Sequence, residues 1–95
     1  MRADLADAAR KRARALQIAG GVYLRVLLRN ARKTGELPPP VRENARYVRV
    51  PVALVMAKTE RDAIAKEMGV SLPELLERLV AVDTAEPKRP LMILP

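Results

Sequence analysis

Residues 64–80, with the sequence IAKEMGVSLPELLERLV, constrain the fold of this chain more than any other segment. Apolar residues recur at helical spacing before and after Gly69, and the Gly-Val-Ser sequence between the two runs is typical of a tight turn. Ser71 is followed three residues later by Glu74, which is the pattern of a capping box at a helix start. The segment therefore predicts two short helices that meet at a corner, the first of them beginning near an N-capping Thr59.

Two further helices are predicted in the N-terminal third. Residues 4–19 carry a stripe of small apolar side chains at helical spacing, and residues 22–33 carry a second apolar stripe opposite a row of arginines. Gly20-Gly21 is expected to separate the two helices, and Gly35 is expected to end the second one. Residues 1–36 are therefore predicted to form a basic helical hairpin or arm.

The middle of the chain has the composition of a linker followed by a strand. Three consecutive prolines exclude helix within residues 37–44, and residues 45–56 are rich in β-branched side chains that alternate with polar ones. We expect a short strand near Val48, and a strand end or helix start at Pro51. Residues 83–95 are predicted to be a loop that leads into a terminal strand or a docked apolar tail.

The residue inventory excludes most catalytic and metal-dependent functions. The chain has no cysteine and no histidine, and Ser71 is its only serine. Disulfides, zinc fingers, a cysteine nucleophile and a Ser-His-Asp triad are therefore impossible within this chain. We expect a protein that is not an enzyme, that uses no cofactor or metal, that does not bind membranes, and that works in the cytoplasm. With no Phe or Trp, the core should be aliphatic, and a homodimer or larger assembly is expected to complete it.

The net positive charge of the chain comes from its first half. Residues 1–50 contain twelve Lys and Arg against four Asp and Glu, whereas residues 51–95 contain six against seven. A net charge of +7 points to a polyanion or an acidic protein surface as partner, although a solvated outer face is the alternative interpretation. The side chains expected to contact phosphates are Arg10, Lys11, Arg14, Arg25, Arg29, Arg42 and Arg46.

Residues 45–82 resemble the ribbon-helix-helix family of DNA-binding proteins, in which a short strand precedes two helices joined by a Gly-x-Ser turn. The resemblance implies a mainly α fold with one short β-strand, and a homodimer whose paired strands enter the major groove of double-stranded DNA. It implies that Tyr47 and Arg49 read bases, and that Ser71 lies where backbone amides hold a phosphate. The implied dimer interface comprises Val48, Val50, Leu75, Leu76, Leu79 and Val80.

Residues 64–80 also resemble a helix-turn-helix, which is the alternative and implies an all-α domain. The second helix would then be the reading helix. Its candidate exposed residues are Leu72, Glu74, Glu77 and Arg78. Two acids make a poor surface for a polyanion, so the charge favours the ribbon interpretation.

These patterns predict a small DNA-binding protein, such as a transcriptional repressor or a plasmid, phage or antitoxin-type regulator. One alternative is an interaction module that binds an acidic protein partner through its arginine-rich helices. Another is an RNA-binding protein, although the chain has only two aromatic side chains on which bases could stack.

Overall fold

The computed structural model describes residues 1–41 and 50–85. These residues form four helices: α1 (Ala3–Ala15), α2 (Gly20–Thr34), α3 (Lys58–Met68) and α4 (Leu72–Ala85). Within the described ranges there is no strand or sheet. The predicted mainly α fold with one β-strand, and the ribbon-helix-helix architecture, are therefore wrong. The stated all-α alternative is the fold class that fits.

Residues 50–56 show why the alternating pattern did not produce a strand. This segment is extended: Val52, Leu54 and Met56 pack partly against the helical core, while the residues between them are exposed. Val50 exchanges two hydrogen bonds with Met1, at 2.8 and 3.0 Å, and Val55 donates to the carbonyl of Gly21 at 3.3 Å, so the segment bonds to single residues near the starts of α1 and α2 and not to a second strand. The alternating sequence thus reflects an extended segment with one side packed against the core, and the core on that side consists of helices. Residues 45–49 of the predicted strand lie outside the described residues.

Helix ends follow local backbone chemistry. Gly35 and Gly69 close α2 and α3 in the left-handed conformation, with φ of 71° and 75°, which confirms both predicted caps. The backbone N–H of Glu74 donates to Ser71 Oγ at 3.4 Å, so Ser71 caps α4 as predicted. Thr59 is not a cap, since Ala57 takes the N-cap position of α3 and no side chain bonds there.

The first helix ends four residues earlier than predicted. Gln17 adopts the left-handed conformation with φ of 59°, and the N–H of Ile18 donates to the carbonyl of Ala13 at 3.0 Å. This is a Schellman motif with a glutamine where glycine is usual. The Gly20-Gly21 pair then begins α2 instead of interrupting a longer helix.

The core has two central helices, since α4, like α2, packs against each of the other three helices. One hydrophobic cluster joins α1 and α2, which form the predicted N-terminal hairpin, to the α3–α4 corner. The buried members of that cluster are Leu5, Ala9, Ala13, Tyr23, Leu24, Leu27, Leu28, Ala31, Ile64, Leu75, Leu76, Leu79 and Val80. Most are aliphatic, as predicted, but Tyr23 is fully buried, so the core also contains an aromatic ring.

Polar contacts inside the bundle tie α4 to α1 and α2. Asp83 accepts a hydrogen bond from the Tyr23 hydroxyl and another from Arg12 Nε at 3.2 Å. Glu77 accepts from the backbone N–H of Arg2, at 3.2 Å, at the start of α1. Buried carboxylates require such donors, because an unpaired buried charge is costly. The prediction of a loop at Asp83 is wrong, since Asp83 lies within α4, four residues after Leu79.

Candidate nucleic-acid interface

Ion pairs between helices engage three arginines in the basic half of the chain. Arg12 of α1 pairs with Asp83 of α4 at 3.2 Å. Two arginines of α2 pair with glutamates of α3, Arg29 with Glu60 and Arg32 with Glu67, each at 3.0 Å. Part of the positive charge of the first half is therefore paired with acids of the second half, and these ion pairs link the helices.

The α2 arginine ridge, defined as Arg25, Arg29 and Arg32, follows one side of α2 at helical spacing. Arg29 contacts both carboxylate oxygens of Glu60, with Nε 3.0 Å from Oε1 and Nη2 3.2 Å from Oε2. The hydrogen bond from Arg29 is the largest cause of a lowered pKa of Glu60, and the charges of Arg32 and Arg25 act in the same direction. All three ridge arginines therefore act on Glu60.

The α1 basic face, defined as Arg10, Lys11 and Arg14, lies on the solvent side of α1. Its three side chains are exposed, and they stand opposite the buried stripe of α1. Arg10 is 3.3 Å from Asp7, but both side chains are about two-thirds exposed (66% and 67%), so solvent weakens that pair. Across the part of the chain that the structure describes, Lys11 and Arg14 make no ion pair. The C-terminal half of α1 therefore offers two cations, Lys11 and Arg14, that no acid among the described residues neutralises.

The second helix of the corner does not present a reading face. In α4, Leu75, Leu76, Glu77, Leu79, Val80 and Asp83 are all buried. Arg78 donates to the backbone carbonyl of Pro38 at 3.2 Å and to Glu74 at 3.1 Å, so it fastens the proline segment to α4. Only Pro73, Glu74 and Ala85 of this helix are exposed. A helix that is central to the bundle cannot also lie in a major groove.

The predicted dimer residues in α4 are buried within a single chain. Leu75 and Val80 are fully buried, and Leu76 and Leu79 are no more than 9% exposed. Val50 is half-buried and bonded to Met1. Val48 lies outside the described residues, as do Tyr47, Arg49, Arg42 and Arg46, so the two predicted base-reading residues have no described position. Ser71 is exposed, and its hydroxyl caps α4.

Sequence reasoning missed the pairing between α2 and α3 and the buried Arg12–Asp83–Tyr23 network. Asp83 follows Leu75 and Leu79 at four-residue intervals, so its position on the buried stripe was a usable signal. The link between Arg29 and Glu60 spans 31 residues and left no local signal. No group of side chains suited to hold a metal ion occurs among residues 1–41 and 50–85. None of the described helices is long and apolar enough to cross a membrane.

No protein-family model, curated protein or solved structure matches this chain. On the described surface, the α1 basic face is the densest group of exposed cations that lie on one side of a helix and form no ion pair with another helix.

Proposed function

We propose that this protein binds double-stranded DNA by contacting its phosphates through the α1 basic face. The observation that carries the proposal is the clustering of exposed cations on α1. The fold engages Arg12, Arg29 and Arg32 with acids of other helices, whereas Lys11 and Arg14 stay exposed without an acid partner in the described residues. Together with Arg10 they place three positive charges within five residues on one helical face.

Such a face is suited to a polyanion. Each cation that neutralises a phosphate releases condensed counterions from the DNA, and this release supplies most of the affinity of non-specific binding. Arg14 lies in the last turn of α1, where the negative end of the helix dipole also favours a cation. Contacts of this kind position a protein on a duplex but carry no sequence information.

The proposal is therefore narrower than a sequence-specific repressor. Base reading by α4 conflicts with its burial, and base reading by Tyr47 and Arg49 stays a prediction. A role in transcription regulation would require discrimination between sequences, which phosphate contacts do not provide. We therefore expect DNA binding that depends strongly on salt and weakly on sequence.

The test compares two variants that lose the same charge from different surfaces. Lys11→Ala/Arg14→Ala removes two cations from the α1 basic face, and Lys58→Ala/Lys66→Ala removes two exposed lysines from α3. Binding of a labelled 20-base-pair duplex at low salt is measured by fluorescence anisotropy for each protein. The first variant should bind about tenfold more weakly than the wild type, and the control should change by less than about twofold. Equal losses would show that net charge alone drives binding, and that α1 holds no site.

An acidic protein partner is the second candidate, and one contact favours it. Arg29 already holds a carboxylate through two hydrogen bonds, so the surface of α2 has a geometry that suits acidic side chains. In the same assay, a labelled polyglutamate peptide replaces the duplex. Retention of the peptide by a wild type that does not bind the duplex would favour this candidate over DNA.

A further inference from the structure

We propose that Glu60 and Glu67 of α3 are internal competitors of phosphate for the α2 arginine ridge, so that these carboxylates restrict how tightly the protein binds DNA. This inference rests on the proposed function and extends it to the regulation of the same binding. It assigns α3 a role in affinity in addition to its packing.

The geometry of the pairs supports competition. A carboxylate held by two guanidinium hydrogen bonds occupies the same donors that a phosphate oxygen pair would use. Arg29 is bound in this way by Glu60, and Arg32 donates to Glu67 at 3.0 Å. An arginine whose Nε and Nη2 are held by an internal carboxylate can offer that same pair of donors to a phosphate only after the carboxylate leaves.

The accessibility of the ridge makes the exchange feasible. The side chains of Arg29 and Arg32 are 43% and 46% exposed, so a phosphate can approach both from solvent. Both are exposed ion pairs, and such a pair favours the paired over the separated side chains by a factor of up to about five. Competition at this strength alters DNA affinity measurably without preventing binding.

Among residues 1–41 and 50–85, Arg25 completes the ridge without an ion pair of its own. It lies one helical turn before Arg29 and acts on Glu60 only through its charge. Removal of Glu60 would therefore expose two adjacent cations on α2 at a spacing of four residues. The position of Glu60 thus governs whether the ridge presents one available cation or several.

The experiment uses two acids of α3 that stand on opposite sides of the same helix. Glu60→Gln removes the competitor but keeps the size of the side chain. Asp62→Asn, two residues further along and exposed, changes the net charge equally and serves as the matched control. The dissociation constant of the 20-base-pair duplex is measured over a series of salt concentrations for the wild type and both variants, with thermal unfolding monitored by circular dichroism.

Glu60→Gln should tighten binding about threefold and steepen the dependence of log K on log salt by about 0.9, the value for one added phosphate contact. Asp62→Asn should change affinity by less than about twofold and leave the slope unchanged. Adding Arg29→Ala to Glu60→Gln should abolish both gains. A purely structural role of Glu60 would lower thermal stability but would not steepen the salt slope.

Two results separate this inference from the proposed function. A wild type that does not bind the duplex at low salt would overturn both proposals. A wild type that binds, with equal effects of Glu60→Gln and Asp62→Asn, would overturn only the competition. If Glu60→Gln unfolds α3, Glu67→Gln repeats the test at the second pair, with Glu67→Gln/Arg32→Ala as the variant that should lose the gain. An unchanged slope for Glu67→Gln alone would then refute the inference.

Discussion

Replacement of Asp83 by alanine tests the internal connection between the basic helices and the rest of the fold. Asp83 is the point where α1, α2 and α4 meet, because its carboxylate accepts hydrogen bonds from both Arg12 and Tyr23. The Arg12 and Asp83 side chains are 10% and 9% exposed, and Tyr23 is fully buried. The substitution therefore removes an acceptor from a place that water reaches poorly.

The expected loss follows from the two contacts. A buried hydroxyl left without its acceptor costs about 1–3 kcal/mol, and breaking a buried ion pair from one side costs about 3–5 kcal/mol. Because the pair is about a tenth exposed, water and side-chain relaxation recover part of the sum. We expect Asp83→Ala to lower the free energy of unfolding by about 3 kcal/mol, which is a large share of the roughly 5–15 kcal/mol typical of a small domain.

Urea unfolding followed by far-ultraviolet circular dichroism measures this loss. Asp62→Ala, which truncates an exposed aspartate of α3, is the control and should change stability by less than about 0.5 kcal/mol. In a double-mutant cycle with Tyr23→Phe, the sum of the two single losses of stability should exceed the loss of the double variant by about 1 kcal/mol. A loss below 1 kcal/mol for Asp83→Ala at an unchanged m-value would refute the network as a stabilising contact.

Three further predictions concern stability and are measured by the same unfolding assay. Burial, and next the hydrogen bond to Asp83, raise the pKa of Tyr23 above the value of about 10 that holds in the unfolded chain. Above pH 10 the folded state therefore keeps a proton that the unfolded chain has lost, and the free energy of unfolding should fall by about 1.4 kcal/mol per pH unit. If a Tyr23→Phe variant shows the same fall, Tyr23 is not its cause. Gln17→Gly should stabilise the protein by about 0.5–1 kcal/mol, since glycine adopts a φ of 59° without strain, and a loss of stability would speak against a strained turn. Gly21→Ala should lower the free energy of unfolding by about 1–2 kcal/mol, because the added Cβ would lie 2.7 Å from Val55 Cγ2 and 3.1 Å from the Val55 backbone nitrogen. Gly20→Ala is the control and should leave stability unchanged, since its Cβ would meet nothing within 4 Å. Equal effects of the two substitutions would refute the close approach at Gly21.

Features of the fold that depend on a few neighbouring residues could be predicted from the sequence. The corner at Gly69, the cap at Ser71 and the end of α2 at Gly35 each depend on residues within one helical turn. The end of α1 could not be predicted, because a glutamine rarely adopts the left-handed conformation and the Gly20-Gly21 pair looked like the stronger break. The strand was predicted because alternation shows which side chains face inward, but it does not show what they face.

The charged surface was less predictable, because pairing depends on the tertiary arrangement. The sequence showed a row of arginines at positions 25, 29 and 32, and its natural interpretation was an open basic stripe. In the folded chain Glu60 and Glu67 lie against that row, 31 and 35 residues away from their partners. By contrast, the α1 basic face stayed exposed, since its side chains stand opposite the buried stripe of α1. Which cations are available to a partner is therefore a property of helix packing.

The salt dependence of DNA binding tests the central claim most directly. Log K for the 20-base-pair duplex is measured against log salt for the wild type, for Lys11→Ala/Arg14→Ala and for Lys58→Ala/Lys66→Ala. If the α1 basic face contacts phosphates, the slope for the first variant should be shallower than that of the wild type by about 1.8, the value for two lost contacts, and the slope for the second variant should match the wild type. Three equal slopes, or a wild type that binds no duplex at low salt, would contradict the account.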